Sequence, residues 1–212
     1  MRATLGVALL FNVSIFGVEP GWAGTFTIDP GQSALVVQVF KDGVAARLAH
    51  DHVVQARAFS GTIAYDPRRP DASSIEVKVE VGSLQADNPA TRRKFALEGE
   101  PSAKDRADIE ATMKSQDQLA AARFPAITFA STSIAKQPDG RLLVTGQLTI
   151  RGVAQEVKFP VQIALDGGLL RGRAQLTFKQ SSFGYQPYRA ALGTIKNKDE
   201  VILHIDLGAK AP

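Results

Sequence analysis

Two histidines that flank one aspartate, His50-Asp51-His52, have the clearest capacity for chemistry in this sequence. In an extended strand His50 and His52 would share one face and Asp51 would take the other, so two imidazoles could meet one metal ion. A third ligand would have to come from His204, the only other histidine. Alternatively, the pair caps the rim of the fold by hydrogen bonding to backbone or solvent, or contacts the head group of a ligand.

The basic run Arg92-Arg93-Lys94 is the densest positive cluster in the sequence. It predicts an exposed loop or, through Arg92 and Arg93, a contact with the phosphate or quinone oxygens of a ligand. A guanidinium suits such a contact because it offers a planar fork of donors. No aromatic platform is interleaved with the run, so we do not expect nucleic acid as a partner.

The sequence lacks the signatures of common catalytic sites. Ser181-Ser182 has no Gly-x-Ser-x-Gly elbow, and neither a phosphate-cradling glycine loop nor a dinucleotide fingerprint occurs. Asp105, Asp108 and Glu110 fall in a helical segment, where surface solvation explains them better than paired acid–base roles. The chain contains no cysteine, which excludes disulfides, thiolate metal sites and a cysteine nucleophile. We therefore expect a protein that is not an enzyme and requires no cofactor.

The first 23 residues predict an export signal rather than part of the fold. Arg2 precedes an apolar run over residues 5–18, and Gly21 and Ala23 have the spacing of a signal-peptidase site. The run is short for a bilayer span, which favours a cleaved signal over a retained anchor. We expect a periplasmic protein with its domain over residues 24–212. Its net charge of +4 favours a transient contact with anionic membrane surfaces.

Alternating apolar and polar residues predict a chain built mainly of strands. The clearest case is Ile75-Glu76-Val77-Lys78-Val79, in which the apolar residues face one side and the charged residues face water. Turn signals such as Asp139-Gly140 separate the runs. When such a sheet closes on itself, the apolar face of each strand is buried inside. Closure also leaves no unpaired strand edge. The predicted fold class is all-β, an antiparallel barrel.

One segment departs from this pattern and predicts an inserted helix over residues 101–123. Its composition favours helix, Ser102 can cap the N-terminus, and Phe124-Pro125 ends it. We expect this helix to cover one end of the barrel.

Several short motifs occur in a specific order along the chain. They are Phe26-Thr27-Ile28-Asp29-Pro30 with Ser33, Phe59-Ser60-Gly61-Thr62-Ile63, Val79-Glu80-Val81-Gly82-Ser83-Leu84, Phe124-Pro125-Ala126-Ile127-Thr128-Phe129, Thr145-Gly146-Gln147-Leu148-Thr149-Ile150 and Ser182-Phe183-Gly184. In these motifs the sequence resembles the YceI-like family of exported lipid-binding proteins. The resemblance implies a lipocalin-like barrel whose lumen holds a long isoprenoid chain, such as a polyprenyl quinone or polyprenyl phosphate.

The apolar faces of the strands supply the candidate lining of that lumen, and burial of an isoprenoid chain against them needs no covalent chemistry. The candidates are Leu35, Val37, Val39, Val77, Val79, Ile127, Phe129, Leu148, Ile150, Phe159, Leu176, Phe178, Phe183, Leu203 and Ile205. Phe183 and Tyr185 either close the cavity or pack in the core. Gly146, Gly172 and Ala174 on inward faces favour a cavity.

The expected partner is therefore a long-chain isoprenoid lipid. The sequence leaves open whether the protein also forms a homodimer. Two alternatives also stay open: a metal-binding protein or metalloenzyme centred on His50 and His52, and an interaction module with a filled core and no ligand.

Overall fold

The computed structural model describes residues 23–211. Apart from Ala23, the predicted signal peptide over residues 1–23 lies outside the described residues. The strands are β1 (Gly24–Ile28), β2 (Ala34–Asp42), β3 (His52–Gln55), β4 (Phe59–Tyr65), β5 (Ser74–Glu80), β6 (Gln85–Ala86), β7 (Ala126–Lys136), β8 (Leu142–Ile150), β9 (Val153–Asp166), β10 (Leu169–Lys179), β11 (Arg189–Ala190) and β12 (Ile195–Lys210). The helices are α1 (Pro89–Lys94) and α2 (Ala103–Lys114). Neither helix has the length and apolar composition needed to cross a bilayer.

Eight strands form a closed antiparallel ring in the order β1-β4-β5-β7-β8-β9-β10-β12, and β12 pairs back to β1. Strands β2, β3 and β6 continue the sheet beyond the ring, in that order. Strand β2 pairs with residues 196–206 of β12, along the same edge of β12 that pairs with β1 at residues 209–210. The predicted antiparallel barrel is confirmed. An eight-stranded barrel is wide enough to be filled by its own side chains or to hold one ligand.

Strict alternation within the strands creates the apolar interior. In β8 every second residue from Leu142 to Ile150 is buried, and the residues between them are half-exposed. In β5 Glu76, Lys78 and Glu80 are exposed, while the intervening valines face inward. Because the side-chain period of a strand is two, this pattern also fixes the register of each pairing.

The two ends of the barrel differ. Short turns at residues 66–73, 137–141 and 166–169 join strands at one end, which we call the hairpin end. The longer segments 81–125 and 180–194 lie at the other end, which we call the helix end. Both α-helices belong to the helix end.

Ser33 holds the ring together where β1 and β2 meet β12. Its hydroxyl donates to the carbonyl of Asp29 at 2.7 Å, and it accepts from the amide of Gly208 at 2.9 Å. The amide of Asp29 donates to the carbonyl of Gly208 at 2.8 Å. One half-buried hydroxyl thus satisfies a backbone group just after β1 and another within β12, which are distant in sequence.

We expect Ser33→Ala to lower the free energy of unfolding by about 1–2 kcal/mol, because it leaves the Gly208 amide without its partner. Urea unfolding measures this loss. Ser60→Ala is the matched control, since Ser60 is exposed on β4. An equal effect of the two substitutions would contradict the role assigned to Ser33.

The inserted helix is shorter than predicted. Ser102 caps α2 and forms a reciprocal capping box with Asp105, as the sequence indicated, but the helix ends at Lys114. Ser115 is extended, and Ala120 adopts a left-handed conformation at φ 47°. The polar stretch 115–118 contains weak helix formers, and the turns after it bring Leu119 into the core. Burial of Leu119 therefore prevails over continuation of the helix.

Candidate ligand-binding site

The barrel encloses an apolar cavity of about 420 Å³, a size within the usual range for ligand sites. Its wall includes fourteen of the fifteen predicted lining residues. These are Leu35, Val37, Val39, Val77, Val79, Ile127, Phe129, Leu148, Ile150, Phe159, Leu176, Phe178, Leu203 and Ile205. Every strand of the closed ring except β1 and β4 contributes at least one of these fourteen, and β4 adds Ile63. Their contact with a ligand stays a prediction.

Phe183 has a different position from the one predicted. It lies in a 3-10 turn (Gln180–Phe183) and is fully buried, with its ring edge-on to Phe178 at 5.5 Å. Phe183 therefore supports the cavity wall through Phe178 and is absent from the lining, whereas Tyr185 is part of the lining. Burial raises the pKa of Tyr185, which keeps its phenol neutral.

Gly146 does not leave open space, contrary to the expectation from its inward position. A Cβ built on Gly146 would lie 2.5 Å from the carbonyl oxygen of Ala130 and 2.6 Å from the ring of Phe129. The Phe129 ring lies over the glycine and packs at 5.7 Å from the ring of Phe159. Gly146 therefore makes room for an aromatic side chain of the wall.

Helix α2 covers part of the cavity at the helix end. Ile109, Thr112 and Met113 face the cavity from α2, and Leu119 follows from the turns after it. The backbone amide of Ala86 donates to Glu110 Oε1 at 3.1 Å, which anchors α2 to β6. The predicted covering role of the inserted helix agrees with these contacts.

A few polar side chains interrupt the apolar wall, and sequence patterns did not single them out as one set. Gln180, Tyr188 and Asn197 lie at the helix end, where β10 ends and β12 begins. His52 faces the cavity from the start of β3, which pairs with β2 at the same end. The cavity is thus apolar along its length and has a polar zone at the helix end.

His52 belongs to a buried polar network. Its Nδ1 lies 2.6 Å from Asp87 Oδ2, and Asp87 is completely buried. Asp87 Oδ1 accepts from Arg92 at 2.7 Å and from the amide of Val53 at 3.1 Å. Burial opposes the charged form of Asp87, but His52 and Arg92 outweigh it and hold the pKa of this carboxyl below its usual range. Asp87 therefore stays ionised in the folded protein.

Arg92 is a structural residue rather than an exposed contact for a head group. Its side chain is 3% exposed. Besides Asp87, it donates to the carbonyls of Asp51, Glu98 and Gly99 at 2.6–3.0 Å. These bonds attach α1 and the turn after it to the barrel rim, so Arg92 has no free donor fork to offer a ligand. Arg93 is exposed on α1 and is absent from the cavity lining.

The run 92–94 forms part of a helix, not the exposed loop that we predicted. Asn88 caps α1 by accepting from the amides of Ala90 and Thr91, and Pro89 occupies the first turn. A capping asparagine followed by proline is a recognisable helix start, so this sequence signal could have located α1.

The histidines do not converge on a metal site. His50 packs edge-on to His52 with ring centroids 6.1 Å apart, but His204 lies on the outer face of β12 and contacts Phe95 at 4.8 Å. Gln38 and Gln175 flank the His204 ring. Burial, aided by Lys94, lowers the pKa of His204. Among residues 23–211, no three His, Asp or Glu side chains are placed to share a metal ion.

A closed antiparallel barrel around an elongated apolar cavity defines a ligand-binding protein. The comparisons with known proteins agree with this class. Residues 26–209 match the YceI-like domain, and the chain belongs to the YceI-like family.

Two bacterial proteins illustrate the relatives that the chain matches. A UPF0312 protein of Shewanella sp. (strain ANA-3) is 27% identical over 162 residues, which cover 76% of this chain and 73% of the relative. Protein YceI of Salmonella arizonae is 30% identical over 109 residues, which cover 51% of this chain and 47% of the relative.

Solved structures share the fold. BcnA of Burkholderia cenocepacia superposes with a TM-score of 0.68 at 22% identity, covering 86% of this chain and 99% of BcnA. The YCEI protein of Campylobacter jejuni gives a TM-score of 0.57 at 17% identity, covering 75% of this chain and 84% of that protein. At these identities the likeness concerns the fold alone.

Proposed function

We propose that this protein is an exported carrier that holds a long isoprenoid-type lipid in the lumen of its barrel, without catalysing a reaction on it. The observation that carries the proposal is the cavity, whose wall is aliphatic and aromatic along its length and polar only near one end. An extended hydrocarbon chain fits such a wall because burial of apolar area is favourable at about 25 cal/mol per Å².

The shape of the cavity supports a long ligand over a compact one. On β12 the lining residues run from Asn197 to Leu207, which corresponds to roughly 30 Å along the strand at about 3.3 Å per residue. A polyprenyl quinone or polyprenyl phosphate has both an extended apolar chain and a polar head, which suits a cavity with one polar end.

Expression of the full-length chain in a bacterial host tests export and cargo together. N-terminal sequencing of the periplasmic fraction would give the first residue of the mature protein, for which we expect Gly24. Native mass spectrometry followed by solvent extraction would identify the bound molecule, for which we expect a polyprenyl species at close to one per chain. Protein that folds in a host rich in polyprenyl lipids but carries none of them would contradict the proposal.

We expect Val77→Trp to reduce lipid occupancy at least about tenfold while the barrel stays folded. Val77 is half-buried and lines the cavity, so the larger side chain enters space that the lipid needs. Overpacking of this kind costs about 1–3 kcal/mol of stability. Native mass spectrometry measures occupancy.

Glu76→Trp is the matched control, because Glu76 is the adjacent residue of β5 and is exposed on the outer face. It should retain its lipid. Equal occupancy in the two folded variants would place the ligand outside the lumen.

A further inference from the structure

The imidazole of His52 is held in one orientation with part of its ring on the cavity. Its side chain is 19% exposed, and His52 is part of the cavity lining. Nδ1 makes the 2.6 Å contact with the buried Asp87, and no hydrogen bond within residues 23–211 uses Nε2. The ring therefore has one nitrogen bound to Asp87 and one without a partner in the described part of the chain.

Asp87 determines which nitrogen carries the hydrogen. An ionised carboxylate can only accept, so Nδ1 must donate to it, and Nε2 of the neutral ring is then an acceptor. Arg92 lies 2.7 Å from the other oxygen of Asp87, so the carboxylate is paired with a permanently charged group as well as with His52. In its neutral form, His52 thus presents the lone pair of Nε2, not a proton, to a ligand.

The position of His52 suits the head of an elongated ligand. It lies at the start of β3, opposite Val39 of β2, and the lining of β2 from Val39 back to Leu35 is apolar. Other polar side chains line this end too, namely Gln180, Tyr188, Asn197, Asp108, Thr112 and Gln118. A ligand with one polar end would place that end near His52 and its chain toward the hairpin end.

We infer that His52 is a specificity-determining anchor that accepts a hydrogen bond from a hydroxyl head group, so that the lumen selects an isoprenoid alcohol or phenol over the same chain without a hydroxyl hydrogen. Asp87 acts through His52 as a positioning residue. This inference rests on the proposed function, since it requires an isoprenoid chain in the lumen. It narrows the head group from the quinone or phosphate named above to one that carries a hydroxyl hydrogen, which a quinone lacks.

Binding of geranylgeraniol and of its methyl ether to the delipidated full-length protein tests the inference. The two probes share the chain and the oxygen, but only the alcohol can donate. We expect the wild-type protein to bind the alcohol about 3- to 10-fold more tightly than the ether, the usual range for one hydrogen bond. His52→Phe should bind the two probes equally while retaining affinity for the ether.

The possible outcomes distinguish a failure of the role inferred for His52 from a failure of the proposed carrier function. Equal binding of both probes by the wild-type protein, or an unchanged preference in His52→Phe, overturns the inference and leaves the carrier function standing. Failure of the wild-type protein to bind either probe contradicts the isoprenoid carrier and overturns the inference with it.

An independent measurement covers the case in which His52→Phe does not fold. In wild-type protein labelled with ¹⁵N-histidine, the alcohol should shift the Nε2 resonance of His52 and the ether should not. A His52 Nε2 resonance that responds identically to both probes overturns the inference without any substitution.

Discussion

Replacement of Asp87 by asparagine is expected to lower the free energy of unfolding by about 3–5 kcal/mol, the usual cost of removing one member of a buried ion pair. Arg92 would keep its charge in a site where its side chain is 3% exposed. Asparagine isolates the charge effect because Asp87 adopts φ 50°, and asparagine tolerates this left-handed conformation better than most residues. Denaturant unfolding measures the loss.

The pH dependence of this effect has a definite sign. The pKa of Asp87 is lowered in the folded protein, so its contribution is fully present above the unfolded value of about 3.9 and is lost as pH falls through the folded pKa. The stability difference between the wild-type protein and Asp87→Asn should therefore shrink on acidification below about pH 4. A difference that grew in acid would contradict the ionised state assigned to Asp87.

Two further variants test the origin of the loss. Asp139→Asn breaks an ion pair with Arg141 in an exposed turn, and solvent screening should make its effect far smaller. Asp87→Asn combined with Arg92→Met removes both charges, so it should cost less than the sum of the single substitutions. Additive losses would mean that the pair is not coupled.

Leu148→Asp is expected to unfold the barrel at neutral pH or to leave a folded protein without lipid. Leu148 is 5% exposed and lines the cavity. Truncation of a buried leucine costs about 2–5 kcal/mol by itself. A carboxylate in an apolar wall adds a desolvation cost, and the total is comparable with the whole stability of many domains.

The pH dependence of Leu148→Asp should be opposite to that of Asp87. An apolar site raises the pKa of a buried carboxyl, so the penalty is absent when the group is neutral and grows as pH rises above about 3.9. The variant should be most stable in acid. Circular dichroism over a pH series, with native mass spectrometry of any folded fraction, measures both consequences.

Thr145→Asp is the control for Leu148→Asp on the same strand. Thr145 lies on the outer face of β8, opposite Lys158 of β9, so the new carboxylate meets water and a basic neighbour. It should fold and retain lipid. Full lipid occupancy in folded Leu148→Asp would contradict a ligand in the lumen.

The inward faces of the strands were predictable because one rule, the alternation of side chains, repeats in every strand. Val77, Leu148 and Leu203 all lie on the cavity as their period predicted. Phe183 was predicted either to close the cavity or to pack in the core. It lies in a turn, where the period of two does not apply, and it packs in the core.

The polar features depended on contacts that a local pattern does not contain. Asp87 follows a strand of two residues and owes its role to His52 and Arg92, which lie on different elements. The end of α2 at Lys114 likewise follows from burial of Leu119 in the barrel. Helix propensity over residues 115–123 could not reveal either tertiary contact.

The pairing of β12 with β1 has a consequence for the sequence of folding events. Thr27 pairs with Lys210, and Ile28 with Ala209, so the ring closes between strands from opposite ends of the described chain. Contacts between such distant segments carry a large loop-closure entropy and form slowly. We therefore expect the lumen to close late in folding, so that a long guest molecule becomes surrounded only when β1 and β12 pair.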